Sequence, residues 1–200
     1  MTNLNLMQAC SSGAPAQNNL AGRGPDTGVH EIRYANVGTT SGTGPSPPSP
    51  YDLVIRAASG YSPANTARNG CHSSQHYGVI NLGTSASLDL TFSFETASGM
   101  SVTVDAFQFT FLDLDYFSDG MATESVAVSG HTTYSLSDPT DVMVNGNTFS
   151  STVFGSGSDN PADPTLLTEI QTRRAVAFLF ENTQSFSVTL TVSAGSGGRN

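Results

Sequence analysis

Phenylalanine recurs at every second position, Phe107, Phe109 and Phe111, and an acidic turn carrying Asp113, Asp115, Asp119, Gly120 and Glu124 follows at once. No other stretch constrains the chain as much. Period-two aromatic residues make one face of a β-strand, because successive side chains alternate across the pleat. Carrying that alternation on through Leu112 and Leu114 places Asp113 and Asp115 on the same side. Two neighbouring carboxylates repel unless something neutralises them, and the nearest arginines in sequence are Arg68 and Arg173. A cation is the economical partner, and calcium takes about six to eight oxygen ligands. A solvated acidic turn is the bland alternative. The spacing after Asp115 is not that of an EF-hand.

The rest of the chain repeats the same short-strand grammar. Alternating or apolar runs predict strands over 29–35, 51–58, 77–82, 88–95, 102–112, 125–129, 132–136, 141–144, 148–154, 174–181 and 186–193. Turn signals separate them, among them Asn145-Gly146, a hairpin dipeptide. Only 165–171 reads as helix, with Thr165 as its cap. This pattern predicts an all-β fold, a single antiparallel two-sheet β-sandwich of jelly-roll type with at most one short helix. The expected organisation is an irregular N-terminal segment (1–28), the sandwich (29–193) and a polar tail (194–200). Residues 38–50 read as a loop of partly polyproline character rather than a linker.

Charge narrows the partners. The chain has no lysine, seven arginines and sixteen acids, for a net charge of -9. That balance argues against nucleic acid and anionic lipid, and no apolar run is long enough to insert in a membrane. Cys10 and Cys71 are the only cysteines. They suit one disulfide in a secreted protein, closing a loop worth roughly 4 kcal/mol; two buried thiols are the alternative. The N-terminus lacks the basic and apolar regions of a signal peptide and reads as the start of a mature domain.

A second acidic loop, Asp159-Asn160-Pro161-Ala162-Asp163-Pro164, either contributes oxygens to the same ion site or caps the following helical turn. Asp26, in Gly24-Pro25-Asp26, is a further candidate ligand, with Asn65 and Asn69 weaker ones. The loop 59–76 is long enough to be functional. Its Tyr61, Asn69, His72 and His76, with Tyr77 just beyond, are the candidate ligand-binding residues. His72 and His76 lack the intervening glutamate of a zinc-protease helix, and a three-histidine site with His131 is a minor alternative. One of Arg173 and Arg174 is expected to pair with an acid near the second acidic loop. No nucleophile elbow, phosphate loop or dinucleotide fingerprint is present, so the catalytic set is empty.

Three segments taken together resemble a secreted β-sandwich module of predicted extracellular proteins from marine microalgae and other protists. They are 18–26 (Asn18-Asn19-Leu20 through Gly24-Pro25-Asp26), 109–115 with Glu124, and 159–171. The resemblance spans 18–192 and implies one ion site shared by the acidic motifs, and a surface, adhesion or cell-covering role. It implies no mechanism. The expected function is an extracellular calcium-binding module that binds polysaccharide or mediates adhesion without catalysis. A self-associating structural subunit of a filament or coat is the first alternative, and a polysaccharide-cleaving enzyme the second.

Overall fold

A computed structural model describes residues 6–40, 48–58, 60–74, 76–117, 121–195 and 198–199. Asp119 and most of the proline-rich loop (41–47) lie outside the described residues. The strands are β1 (Gln17–Asn18), β2 (Ile32–Thr39), β3 (Pro50–Ala57), β4 (Gly70–Cys71), β5 (Gly78–Val79), β6 (Leu82–Gly83), β7 (Ala86–Glu95) and β8 (Val104–Phe111). They continue with β9 (Glu124–Ser129), β10 (Thr133–Ser135), β11 (Val142–Asn145), β12 (Thr148–Ser151), β13 (Val176–Thr183), β14 (Ser185–Val192) and β15 (Gly198–Arg199). Among the described residues, α-helix is confined to two short turns, α1 (Leu6–Ala9) and α2 (Glu169–Arg173), with two 3-10 turns at Leu20–Gly22 and Thr66–Arg68.

The strands form antiparallel sheets of very unequal size. Eight strands run in the order β1-β2-β3-β7-β14-β9-β12-β11, and three, β10-β13-β8, make the second sheet. Alternation decides which side chains meet between them. Leu88, Leu90, Phe92 and Phe94 of β7 face inward with Phe186 and Val188 of β14, all of them buried. Phe107 and Phe180, paired across β8 and β13, answer from the other sheet. The Phe107 ring stacks on Phe180 at 5.0 Å and meets Phe94 edge-on at 4.9 Å, while Phe180 reaches Phe186 at 4.4 Å. Offset and edge-on contacts of this kind add about 0.5–1.5 kcal/mol each beyond the area they bury. The chain passes from one sheet to the other between β13 and β14, which are separated by Gln184 alone.

Several expectations shift by a few residues. The strand expected over 29–35 is Ile32–Thr39, that over 174–181 is Val176–Thr183, and that over 77–82 is reduced to β5 and β6. Two further shifts have a visible local cause. The organising strand ends at Phe111 rather than Leu112, because Asp113 adopts φ 64°, outside extended geometry. The helical turn begins at Glu169, capped by Thr168 in a reciprocal capping box with Gln171, rather than at Thr165. Thr165 is held out of the helix because its amide (2.8 Å) and hydroxyl (2.7 Å) both donate to Asp163 Oδ1.

Cys10 and Cys71 form the expected disulfide, which joins the end of α1 to β4 across 61 residues. The N-terminal segment is further fixed where Asn18 Nδ2 donates to the Asn69 carbonyl (2.8 Å). Replacing both cysteines with serine is expected to lower the unfolding free energy by about 4 kcal/mol, measured by urea unfolding. A loss under about 1 kcal/mol would show that hydrogen bonds alone hold this segment.

Candidate functional site

Three strands cannot cover the inner face of eight. Beside β8 the gap is closed by the segment 77–82 and by Leu6 of α1, and a cavity of about 230 Å³ remains underneath. Its floor comes from the long sheet (Ile55, Phe92, Val126, Leu190) and one wall from Phe109 and Phe111 of β8. Gly78 lets the covering segment cross Tyr34 closely, since a Cβ there would lie 2.5 Å from the tyrosine oxygen. Tyr34 Oη in turn donates to the Gly70 carbonyl (2.7 Å) of β4, which pairs with β5 of the cover and so links it to β2.

The cavity lining is mainly apolar; its polar members include Thr110, Ser125 and Thr191 as well as a group made of Asp113, Glu124, His72, Tyr77 and Asn160. Glu124 opens β9 on the same face as Val126 and Val128, so alternation points its carboxyl inward, and it is only 9% exposed. Burial, reinforced by the charge of Asp113, holds that carboxyl well above the usual glutamate range. Asp113 also faces Tyr77, whose phenol is pushed up to about 12 by burial and then by the Asp113 charge. Tyr77 Oη donates to the Pro161 carbonyl (2.6 Å), pinning the covering segment to the second acidic loop. The His72 ring stacks on Tyr77 at 4.5 Å and 11°. Burial first, and His76 second, lower the His72 pKa, which favours its neutral form.

The structure thus brings together Asp113, Glu124, His72 and Tyr77 from the expected set, and distributes the others. Asp115 does not line the cavity with Asp113, because the left-handed backbone at Asp113 breaks the alternation that predicted one shared side. Asp115 is buried instead against Gly155, where a Cβ would lie 1.4 Å from its Oδ2. Its carbonyl accepts from the Glu124 amide (3.0 Å).

Asp26 accepts from the Asn18 amide (2.7 Å) and braces the N-terminal segment. Asp159 is engaged by Arg174, the pairing expected for that arginine. Partial burial would raise the Asp159 pKa, but the Arg174 contact and nearby backbone amides hold it low. Tyr61 and Asn69 form an internal brace: Tyr61 Oη donates to the Asn81 carbonyl (2.5 Å) and lies 2.9 Å from Asn69 Oδ1. His76 sits 3.5 Å from Asp163, away from His131, whose ring packs on Phe178. Among the described residues, no group of three or more His, Cys, Asp or Glu side chains is arranged to hold a metal.

One ionic assembly escaped the linear reading. On the outer face of β2, β3 and β7, Arg33 contacts Glu31 (2.8 Å), Asp52 (2.9 Å) and Glu95 (3.1 Å). Arg56 joins Glu31 (2.6 Å) and Glu95. The Arg56 contact, followed by the Arg33 one, depresses the Glu95 pKa against the opposing effect of burial. Arg33, Asp52, Arg56 and Glu95 all fall at outward positions of their strands, a signal visible once the strand pairing is known.

No protein-family model and no curated protein matches the chain. Three solved structures are similar to most of it at low identity. The N-terminal domain of the Streptococcus gordonii adhesin Sgo0707 is 11% identical at a TM-score of 0.49, matching 84% of this chain and 45% of its own. The adhesin domain of PrgB from Enterococcus faecalis, solved bound to DNA, is 15% identical at 0.47, covering 84% and 64%. Glucan binding protein C of Streptococcus mutans, to which adherence is ascribed, is 11% identical at 0.45, covering 84% and 54%. The chain spans about half the length of the chains it matches.

Glu124 gives this site a measurable signature. Its folded pKa lies above the unfolded value, so its stabilising contribution is complete below about pH 4 and is lost as pH rises toward the folded pKa. Glu124→Gln is expected to unfold at a higher temperature than the parent near neutral pH and to converge with it near pH 4. Melting curves across that range test this, and parallel pH profiles would place Glu124 in a solvated setting.

Proposed function

We propose that the chain is a non-catalytic extracellular binding module of the adhesion type, and that a glycan is its ligand. The observation that carries this reading is the half-buried His72–Tyr77 stack on the wall of a cavity between the sheets. A flat aromatic pair offers a surface for the C–H face of a sugar ring, and the cavity beside it accepts a group projecting from that ring. The disulfide supports an oxidising, extracellular setting. At about 230 Å³ the cavity is smaller than the usual ~300–1,000 Å³ of a drug-sized site, so it suits one ring or substituent rather than a polymer.

Retention on a panel of immobilised polysaccharides tests the reading. The parent is expected to be retained, and His72→Ala to lose about twofold to tenfold in affinity with its melting temperature preserved. New reducing ends appearing in the polysaccharide would instead make the protein an enzyme. Equal retention of the two proteins would remove the stack from the binding surface.

Self-association is a second reading, favoured by a different feature. Phe117, Met121 and Phe154 are 45%, 53% and 49% exposed, and the two phenylalanine rings lie 6.4 Å apart. An apolar group of this kind on a rim suits contact with a second copy. Sedimentation over a hundredfold concentration range (about 1 to 100 µM, spanning common affinities) checks it; a constant monomer mass removes it.

A further inference from the structure

We propose that the free edge of β8 takes an extended segment of a partner protein as an added strand, with one large apolar side chain of that segment in the cavity. This goes beyond the glycan reading and stands whether or not a glycan binds. Hydrogen bonding shows which way β8 presents its main chain. The Leu179 carbonyl accepts from the Thr132 amide (2.8 Å) and so is turned toward β10, whereas the Arg174 carbonyl, at the other parity, accepts from the Leu114 amide (2.9 Å). Leu179 lies opposite Gln108 in the β13–β8 register. Opposed residues of that kind direct their N–H and C=O groups away from each other. Gln108 and, by alternation, Ala106 and Thr110 therefore offer donors and acceptors to the free side of β8. Among the described residues, nothing hydrogen-bonds to their main chain on that side. From Ala106 to Leu112 the strand carries no charge and no proline, the usual devices that close an edge to further pairing.

The cavity lies along this edge. Phe107 and Phe109 pack on Phe94 and Phe92 (4.9 and 5.4 Å), which sets β8 above β7. β13 lies on the β14 side, where Phe180 meets Phe186, so the free side of β8 faces β3. The cover stands one strand farther out, with Gly78 against Tyr34 of β2. Between them runs a lane above β3, whose Leu53 and Ile55 line the cavity. A residue placed opposite Phe109 in that lane points inward as Phe109 does. At about 230 Å³ the cavity exceeds the ~150 Å³ of an apolar cavity that admits benzene, so a leucine or phenylalanine side chain fits.

The same geometry selects the occupant. β3, β2 and β1 carry the long sheet three strands beyond β7. A second copy pairing β8 to β8 would bring an identical overhang into the same space, so two folded copies do not meet at this edge. A linear tail or linker with alternating apolar and polar residues fills a single lane. Its main chain supplies affinity and its buried side chain specificity, as in other cases of strand addition. A sugar has no ladder of N–H and C=O groups to match the edge.

The probe is the peptide acetyl-Arg-Thr-Thr-Leu-Thr-Thr-Arg-amide, followed by titration calorimetry. Its leucine is placed for the cavity and the two flanking threonines for the main chain of Gln108 and Thr110. A dissociation constant of about 1–100 µM is expected. N-methylation of those two threonines removes the N–H groups aimed at β8 and should weaken binding by about tenfold or more. Alanine in place of the leucine should weaken it by a similar factor. Gln108→Pro deletes an N–H that β13 does not use, so it should weaken the peptide by about tenfold with the melting temperature preserved. Amide exchange of the parent needs no variant: the peptide is expected to slow it at Gln108 and Thr110.

Absence of binding at about 1 mM peptide, or equal affinity for the methylated and unmethylated peptides, would overturn the added strand. Equal affinity for the leucine and alanine peptides would overturn the part given to the cavity. A rise in mass with concentration that Gln108→Pro abolishes would overturn the partner segment in favour of a second copy. Peptide binding without glycan retention supports the added strand and removes only the glycan, and glycan retention without peptide binding does the reverse.

Discussion

The contact on which the fold depends is the aromatic interlock between the two sheets. Phe107 and Phe180 reach from β8 and β13 into Phe94 and Phe186 of β7 and β14, and all four rings are nearly inaccessible to solvent. Those two strands of the long sheet are its centre, paired over eight residues in unbroken register. The small sheet is therefore clamped onto the middle of the large one, and each end of the large sheet needs another cover. On the β2–β3 side the cover is the segment 77–82, secured through Tyr34, Tyr77 and the Cys10–Cys71 bridge. The cavity is what remains between a rigid clamp and a tied-down cover.

That arrangement explains why the polar groups of the site are few and differently treated. Residues leaving β8 must turn away at the edge of the small sheet, and the left-handed backbone at Asp113 makes that turn. Its carboxylate comes to the cavity, while Asp115 goes under the Gly155 backbone. Arg174 secures the same corner, its carbonyl accepting from the Leu114 amide (2.9 Å) while its guanidinium engages Asp159. On the opposite face, three buried carboxylates are compensated by Arg33 and Arg56. Buried charge that has lost water needs such partners, and removing one arginine strands the acids it served.

Much of the strand content was legible because alternation is a local property. The periodicity at Phe107–Phe109–Phe111 and Leu88–Leu90–Phe92–Phe94 marks strand and inward face together, and both hold in the structure. The pairing of Cys10 with Cys71 needed only a count. Tyr61 and Asn69 were less legible as site residues: a polar side chain in a long loop satisfies either a ligand or the loop's own backbone, and here Asn81 takes that role. The expectation that Asp113 and Asp115 share one side failed at a single dihedral angle, which residue type alone does not specify.

By itself, then, the sequence determined which side of a strand each side chain leaves, that strands dominate, and which two sulfurs join. Tertiary structure alone decided which strands lie side by side: β14 between β7 and β9, and the outward charges of β2, β3 and β7 in one network. It also decided that Glu124 would meet Asp113 beneath a cover contributed from forty residues earlier in the chain, around 77–82. The reason is one of range. Alternation and turn chemistry act over a few residues of backbone, whereas a cavity and its charges are set by the mismatch in width between two sheets whose strands come from distant parts of the chain.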